Sequence, residues 1–476
     1  MSVASPVRTV VRRRRRSVAR KPTITDEAVA ALNEARGDPE WVQDLRRASF
    51  AAWERLPLPT ATTEGWRRTD LRPITSRLHT VKPAAPRSDR HDVELGDLDA
   101  GLQEVLDVRF PVGGLVIQQD STTVHRTLAD ELERQGVLFM DIHAAVREHP
   151  DLVRPYLMNI VPVGWQPGEP SNAGKFEALH GALWSGGVFI YVPPNTEVEL
   201  PLRMLQWTGT PGVGSFPHTV VVADRNSSVT CVEEVRSPTL PAAAPSLFTS
   251  GVTELYVEDN ARLNFLSLHE QATEAHTFIT QRCRLGRDAY VNWVVVGMGS
   301  AYTRATADVV LNGRGATAEM LGLGFGNGTQ VFDFHTLQDH VAPNTDSDQL
   351  YKTAMQDRSR LVYEGLVVIQ PTASDSNGYQ ANRNLLLSKT AKADSIPMLE
   401  IENNEVKCTH GSATGPVEPE HLYYLRTRGL PRDVAERLII QGFFEPIVER
   451  MGVAALQDHL RQAIDRKIGG IERDTG

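Results

Sequence analysis

The chain has 476 residues, well beyond the roughly 250 to 300 residues at which one hydrophobic core stops growing, so two or three domains are expected. Its formal net charge is −9, but residues 1–21 contain eight basic and no acidic residues, which leaves −17 on the remainder. Phosphate groups need a basic surface, so this acidic body disfavours a nucleic-acid-binding protein. No segment has the roughly 18 to 20 consecutive apolar residues that would span a membrane.

The Arg-rich residues 1–24 are predicted to form a disordered tail. Polar sequence follows the arginine run where a secretory signal would have an apolar region, so the run does not fit such a signal. The chain has only three cysteines, Cys231, Cys283 and Cys408, too few for a disulfide framework. A reducing, cytoplasmic setting fits this usage best.

Residues 25–92 are predicted to form an N-terminal helical region followed by a linker. Apolar residues recur at three- and four-residue spacing from Val29 to Leu56, which is typical of amphipathic helices. Asp38 is the expected N-cap of the second helix, with Pro39 at its first position, where the missing N–H costs nothing. A stretch rich in Pro, Ala and charge then indicates the linker.

Residues 93–416 are predicted to form a mainly β core. Hydrophobicity alternates with a period of two from about Gly113, as β-strands require, with one helical insertion near residues 128–156. A polar turn followed by a small residue and a strand recurs, which predicts a β-solenoid of stacked units. A β-sandwich or jelly roll stays open as the alternative. The repeated turns begin at Asp224, Glu258, Gly286, Asn312 and Gln356.

Residues 417–476 return to helical spacing and are predicted to form a C-terminal helical region. Leu456, Leu460, Ile464 and Ile468 form one apolar stripe, which is usually a contact with the helix's own core. The region also has more large apolar side chains than so short a segment needs, and some of them are expected to face a partner. These side chains are Tyr423, Tyr424, Leu425, Phe443 and Phe444.

The common catalytic motifs are missing from the sequence. It has no Walker A sequence, no GxGxxG between a strand and a helix, no GxSxG and no HExxH. We therefore predict a protein that is not an enzyme and does not itself bind ATP.

The segment FDFHTLQDH offers one group of metal-ligating residues. Asp333 and His335 are two residues apart, so they lie on the same face of an extended strand, and a carboxylate beside a neutral imidazole suits a divalent metal. His340 closes the segment as a third candidate. The spacing matches no zinc pattern, and stacked polar residues on a solenoid face explain it equally well.

The segment VKCTHG offers a second group. Cys408 and His410 lie on one face of an extended strand, and thiolate and imidazole are both good ligands for iron and zinc. A buried small cysteine beside a surface histidine is the simpler interpretation. Two ligands cannot close a metal site, so a site here would need ligands from another chain and would lie at an interface.

Four stretches of the sequence carry a resemblance to a known family. They are EGWRRTDL from Glu64, KFEALHGALWSGGVFIYVPPNTEVELPL from Lys175, HTLQDHVAPNTDSDQLYKTAMQDRSRLVYEGLVVIQ from His335 and the long stretch from Asn382 to Val448. Through them the sequence resembles the SufB/SufD family of iron–sulfur assembly proteins over nearly everything after residue 25. Within the family, the intact VKCTHG motif and Asn382, where SufB-type chains carry a cysteine needed for assembly, make the chain more similar to the SufD branch.

The resemblance implies a right-handed parallel β-helix flanked by helical N- and C-terminal regions. It also implies a SUF complex in which the chain pairs with a SufB-like paralogue through the ends of the β-helices, and it allows a homodimer when the paralogue is missing. The C-terminal helical region would dock a SufC-like ABC ATPase. His410 would then be a candidate ligand at the SufB interface for a transient iron–sulfur cluster or iron, with Cys408 beside it.

Two other functions stay open on the residues alone. One is a β-helix polysaccharide lyase or hydrolase, in which clustered carboxylates on a solenoid face act on acidic sugars. The other is a stand-alone metal-binding β protein that uses His335 and His340.

Overall fold

The fold is mainly β, and the strands stack into a β-solenoid of about eight turns. The predicted fold class is therefore confirmed, and the alternative of a β-sandwich or jelly roll is wrong. The Arg-rich tail lies outside the residues that can be described. The computed structural model describes residues 24–72, 74, 82–83, 93–106, 110–161, 174–241 and 246–469.

In chain order the strands are β1 (Lys82–Pro83), β2 (Gly114–Gln119), β3 (Thr122–Leu128), β4 (Leu138–Asp141), β5 (Val188–Val192), β6 (Leu202–Trp207), β7 (Val213–Ser215), β8 (His218–Ala223), β9 (Ser228–Arg236), β10 (Phe248–Val257), β11 (Arg262–Glu270), β12 (His276–Leu285), β13 (Tyr290–Gly297), β14 (Tyr302–Leu311), β15 (Thr317–Gly326), β16 (Val331–His340), β17 (Asp346–Met355), β18 (Arg360–Ile369), β19 (Asn377–Leu386), β20 (Lys392–Ile401) and β21 (Lys407–Pro416).

The strands form two sheets, and from β8 onward they alternate between these sheets as the chain advances. Sheet A has the order β20-β18-β16-β14-β12-β10-β8-β5-β4, with β1 and β7 beside it, and sheet B has the order β21-β19-β17-β15-β13-β11-β9-β6-β2-β3. Pairing is parallel except in β2–β3 and β4–β5.

Helices cover the outer faces of both sheets. Residues near 128–156 contain α4, α5 and α6, but also β4, which the sequence pattern missed. Short 3-10 helices lie at Leu95–Asp97 and Glu449–Met451. The helices are α1 (Asp26–Arg36), α2 (Glu40–Arg55), α3 (Ala100–Leu106), α4 (Asp130–Arg134), α5 (Ile142–Glu148), α6 (Pro150–Val153), α7 (Lys175–Leu183), α8 (Pro419–Thr427), α9 (Arg432–Val448) and α10 (Ala454–Gly469).

The turn repeat in the sequence marks one corner of the solenoid. Asn226, Asn260 and Asp288 each adopt a left-handed conformation with φ between 54° and 58°, which Asn and Asp tolerate better than other side chains. Asn260 Nδ2 donates to Asn226 Oδ1 at 3.0 Å, so successive turns bond to each other. The turn from Gln356 belongs to the opposite corner, because it joins β17 of sheet B to β18 of sheet A.

The N-terminal helices and the helical insertion pack on sheet A. Their apolar side chains join those of β8, β10 and β12 in one buried cluster. Asp38 helps to fix this packing and does not cap α2, since Pro39 is the N-cap and makes no side-chain cap bond. The Asp38 carboxylate is buried and accepts from Arg46 at 2.8 Å and from His143 at 2.9 Å. The N-cap prediction is therefore wrong.

The C-terminal helices pack on sheet B. The stripe of Leu456, Leu460, Ile464 and Ile468 is buried against the outer face of this sheet, as the spacing predicts. Polar contacts add to the packing: Arg450 binds Glu319 at 2.8 Å. The C-terminal helices and sheet B are therefore held together by a shared apolar cluster and by ion pairs.

Candidate metal-binding site at the open end of the solenoid

The solenoid ends at β20 and β21, which are the last strands of their sheets among the described residues. Each strand is ten residues long and is bonded on one side only. Their residues are mostly exposed or half-buried, whereas the strands before them are mostly buried. Such an end presents two open hydrogen-bonding edges and an uncovered interior to solvent.

Cys408 and His410 lie on the interior-facing side of β21. The Cys408 side chain packs beside Val367 and Ile369, which are buried in the last turns of the solenoid. His410 is exposed and is in register with the buried Gln380 of β19. The sequence prediction that Cys408 and His410 share one face therefore agrees with the geometry.

Among the described residues, the Cys408 thiol has no charged neighbour that would favour its thiolate form. The residue is half-buried, and burial raises the pKa of its thiol. A thiol in such surroundings is protonated at neutral pH and reacts slowly, and coordination of a metal ion is what would deprotonate it.

A buried polar network lies one strand below His410. Gln380 Nε2 donates to the Tyr363 hydroxyl at 2.8 Å, and Gln349 Nε2 donates to the same hydroxyl. Gln380 Oε1 is buried and has no hydrogen-bond partner among the described residues. The end of the solenoid therefore places buried hydrogen-bonding side chains next to the two candidate ligands.

The two histidines of FDFHTLQDH point to opposite faces of β16. His335 faces outward, where its Nε2 donates to Asp333 at 2.7 Å. His340 faces inward, where its two nitrogens bond the Thr345 and Ser347 hydroxyls at 2.8 Å each. Because they lie on opposite faces, His335 and His340 cannot bind one metal ion together.

His340 instead lies close to Cys408. A Cβ built on Gly378 would be 3.4 Å from Cys408 Sγ and 3.5 Å from His340 Nε2. Sequence spacing could not reveal this proximity, because it depends on the register of β16, β19 and β21.

Asp333 is the centre of a buried ion-pair cluster on the outer face of sheet A. Its carboxylate accepts from Arg304 at 2.7 Å, Thr69 at 2.7 Å and Tyr302 at 2.8 Å, besides His335. Burial alone would raise the pKa of Asp333, but the Arg304 guanidinium and His335 hold it well below its usual range. Because its carboxylate already binds four side chains, Asp333 serves to attach the Thr69 segment to the solenoid.

The candidate partner-binding residues of the C-terminal region differ in exposure. Tyr423 and Tyr424 on α8 are 71% and 57% exposed. Leu425 and Phe443 are half-buried, and Phe444 is fully buried beside Phe325 of sheet B. Phe444 therefore packs the helices onto the solenoid.

Helix α9 also has exposed apolar side chains near α8, which the sequence did not predict. Val434 and Leu438 are 39% and 44% exposed, and α9 packs against α8. We call Tyr423, Tyr424, Val434 and Leu438 the aromatic surface.

The described part of the chain contains no group of three or more His, Cys, Asp or Glu side chains that could hold a metal ion. Nor does any of its helices have the length and apolar character needed to cross a membrane. Cys408 and His410 would therefore need ligands from outside this part of the chain to complete a metal site.

The described residues thus combine a β-solenoid with flanking helices and two candidate ligands at one open end. The family model described as "SUF system FeS cluster assembly, SufBD core domain" matches residues 206–443. The iron–sulfur cluster assembly protein SufD of Bacillus subtilis is 30% identical over 94% of this chain and 99% of its own length. A SufBD family protein of Staphylococcus saprophyticus is 28% identical over 90% of each chain.

The chain belongs to the SufB/SufD family of iron–sulfur cluster assembly proteins of the SUF system and is SufD-like. The resemblance read from the sequence is therefore confirmed. The family model includes β21 and both candidate ligands.

Proposed function

We propose that the chain is a non-catalytic subunit that pairs with a SufB-like paralogue through the open end formed by β20 and β21. The main support is the incomplete pair of ligands, Cys408 and His410, on two unpaired strand edges. Long exposed edges invite pairing with another chain, and a second solenoid stacked on this end would satisfy both edges together. It would also cover the interior side chains that now face solvent.

The nascent iron–sulfur cluster or its iron would be cargo at this interface. Cys408 and His410 would supply two ligands, and the SufB-like chain would supply the others. A soft thiolate beside an imidazole suits iron, and the burial of Cys408 in an interface would protect its ligand bond from water. The absence of a third ligand in the described chain is what an interfacial site requires.

The aromatic surface would dock a SufC-like ABC ATPase. Tyr residues are enriched in protein interfaces because they combine apolar area with a polar tip. The docking helix α9 is tied to sheet B, since Lys352 Nζ donates to the Phe443 carbonyl at 2.7 Å. Movement of the helices during ATP hydrolysis in the partner would thereby reach the solenoid.

Co-expression with SufB-like and SufC-like partners, followed by light-scattering mass measurement, tests the pairing. We expect one copy of this chain, one SufB-like chain and two ATPase subunits. Ser412→Arg places a large charge at the open end, where Ser412 Oγ now bonds Ser395 Oγ at 2.9 Å, and should release the SufB-like chain. Thr127→Arg, at an exposed position of β3 on the opposite edge of sheet B, is the matched control. A complex unaffected by Ser412→Arg would overturn the proposed interface.

The same measurement tests the ATPase docking. Replacing Tyr423 and Tyr424 together by Ala should remove one ATPase subunit from the complex while the SufB-like chain stays bound. Tyr379→Ala, on the outer face of β19 with 38% exposure, should leave the mass unchanged. Retention of both ATPase subunits by the double variant would exclude the aromatic surface as the docking site.

A further inference from the structure

A cleft of about 1010 Å³ lies beside the solenoid, and no residue of β20 or β21 lines it. Its walls are α10, α3 and the loops that follow β9 and β11. Its volume is at the upper end of the range of small-molecule binding sites. Trp207 and Met298 give it an apolar portion, while the remainder is polar or charged.

Most acidic groups on the cleft wall are already engaged. Glu270 forms ion pairs with the buried Arg236 and with His459, the latter at 3.3 Å. Asp458 pairs with Arg461 at 2.9 Å. The negative charge of these carboxylates is therefore already paired and does not balance other cations in the cleft.

Arg466 and Lys467 are the cations that lack a carboxylate. Neither forms an ion pair within the described part of the chain, although both line the cleft. Lys467 Nζ donates to two neutral oxygens, Asn327 Oδ1 at 2.8 Å and Gln330 Oε1 at 2.9 Å. An ammonium group has three donors, so one N–H direction stays open.

Holding the Lys467 ammonium group in this position without a bound anion costs free energy. Its side chain is half-buried, and this burial lowers the pKa of Lys467 to about 8. A buried cation is stabilised by a charged hydrogen-bond partner. Arg466 stands beside it in sequence and is exposed to the cleft, so the two positive charges add.

We propose that the cleft binds a phosphorylated small molecule, with its phosphate or diphosphate group held by Arg466 and Lys467. A phosphomonoester carries a charge of about −1.5 to −2 near neutral pH, which matches two uncompensated cations. The organic part of the ligand would lie toward Trp207 and Met298. Glu104 of α3 also lines the cleft without an ion pair in the described residues, and it would disfavour a ligand with acidic groups at both ends.

This site does not depend on pairing with a SufB-like chain, because none of its lining residues belongs to β20 or β21. Its test is therefore separate from that of the proposed function.

Calorimetric titration of the purified full chain tests the site, with inorganic pyrophosphate, inorganic phosphate and citrate as probes at matched ionic strength. We expect saturable binding of pyrophosphate with a submillimolar dissociation constant, and weaker binding of phosphate. Arg466→Gln and Lys467→Met should each weaken pyrophosphate binding about tenfold. Lys389→Met removes one exposed positive charge elsewhere and should leave binding unchanged.

Three results would overturn the proposal: no saturable binding of pyrophosphate or phosphate, citrate binding as tightly as pyrophosphate, or equal pyrophosphate affinity in both cleft variants and the wild type. Melting curves without ligand would reveal whether Lys467→Met impairs folding. Arg466 is exposed, so Arg466→Gln should fold normally and still tests the site in that case.

Discussion

Cys408 Sγ and His340 Nε2 face the same small volume above Gly378, each within 3.5 Å of the point where a Cβ on that glycine would lie. The three residues come from β21, β16 and β19, so they meet only because of strand register. With no side chain at residue 378, the half-buried thiol has open space beside it.

Gly378→Ala should therefore disturb the open end. The added Cβ would also lie 3.0 Å from Val367 Cγ1, and such overpacking typically costs about 1–3 kcal/mol. We expect a lower free energy of unfolding in urea and a more accessible Cys408. Gly411→Ala is the control on β21, because a Cβ there meets no atom within 4 Å. Equal stability of the two variants would show that the space above Gly378 is not tightly packed.

Thiol labelling of the native chain should modify one cysteine. Cys231 and Cys283 are fully buried and burial raises the pKa of both thiols, whereas Cys408 is only half-buried. An aromatic disulfide reagent should release about one equivalent before unfolding and three after it. Cys408→Ser should abolish the native reaction, and fast labelling of this variant would contradict the burial of Cys231 and Cys283.

Asp333→Asn should destabilise the fold strongly. The substitution leaves the Arg304 guanidinium, which is 2.7 Å from Asp333, buried without a counter-charge, and breaking a buried pair in this way costs about 3–5 kcal/mol. Asp394→Asn breaks the partly exposed pair with Arg360 and should cost less than about 1 kcal/mol. Comparison of the two urea midpoints checks this difference, and similar losses would refute the structural role of Asp333.

Stability should fall as the pH drops from about 6.5 toward 4. Burial lowers the pKa of His340 to about 4 and that of His269 to about 3, while an unfolded histidine titrates near about 6.5. The unfolded chain therefore binds more protons in this window, so the free energy of unfolding decreases with decreasing pH. His340→Gln should flatten the slope by about 1 kcal/mol per pH unit. Parallel slopes for the variant and the wild type would contradict a buried neutral His340.

Local chemistry explains why parts of the fold were predictable from the sequence. The left-handed turns favour Asn, Asp or Gly, so Asn226 and Asn260 repeat visibly along the chain. The stripe from Leu456 to Ile468 has helical spacing because one helix face meets one sheet. The common face of Cys408 and His410 follows from strand alternation alone.

Other features depend on long-range packing that spacing does not encode. Asp38 has the residue type and position of an N-cap, but the burial of Arg46 and His143 beside it recruits its carboxylate. Phe444 and Tyr424 are both large aromatics in one region, and only the position of sheet B decides which is buried. By contrast, spacing alone bears on His335 and His340: they are five residues apart, so strand alternation puts them on opposite faces of β16.

Cluster content of the co-purified complex tests most directly whether the open end is the site of assembly. After anaerobic reconstitution, iron and sulfide should be about tenfold lower with His410→Ala than with wild type, at unchanged complex mass. His421→Ala replaces an exposed histidine on α8 that pairs with Glu418 and should retain the full content. Full cluster content in the His410→Ala complex would contradict a ligand role at the interface.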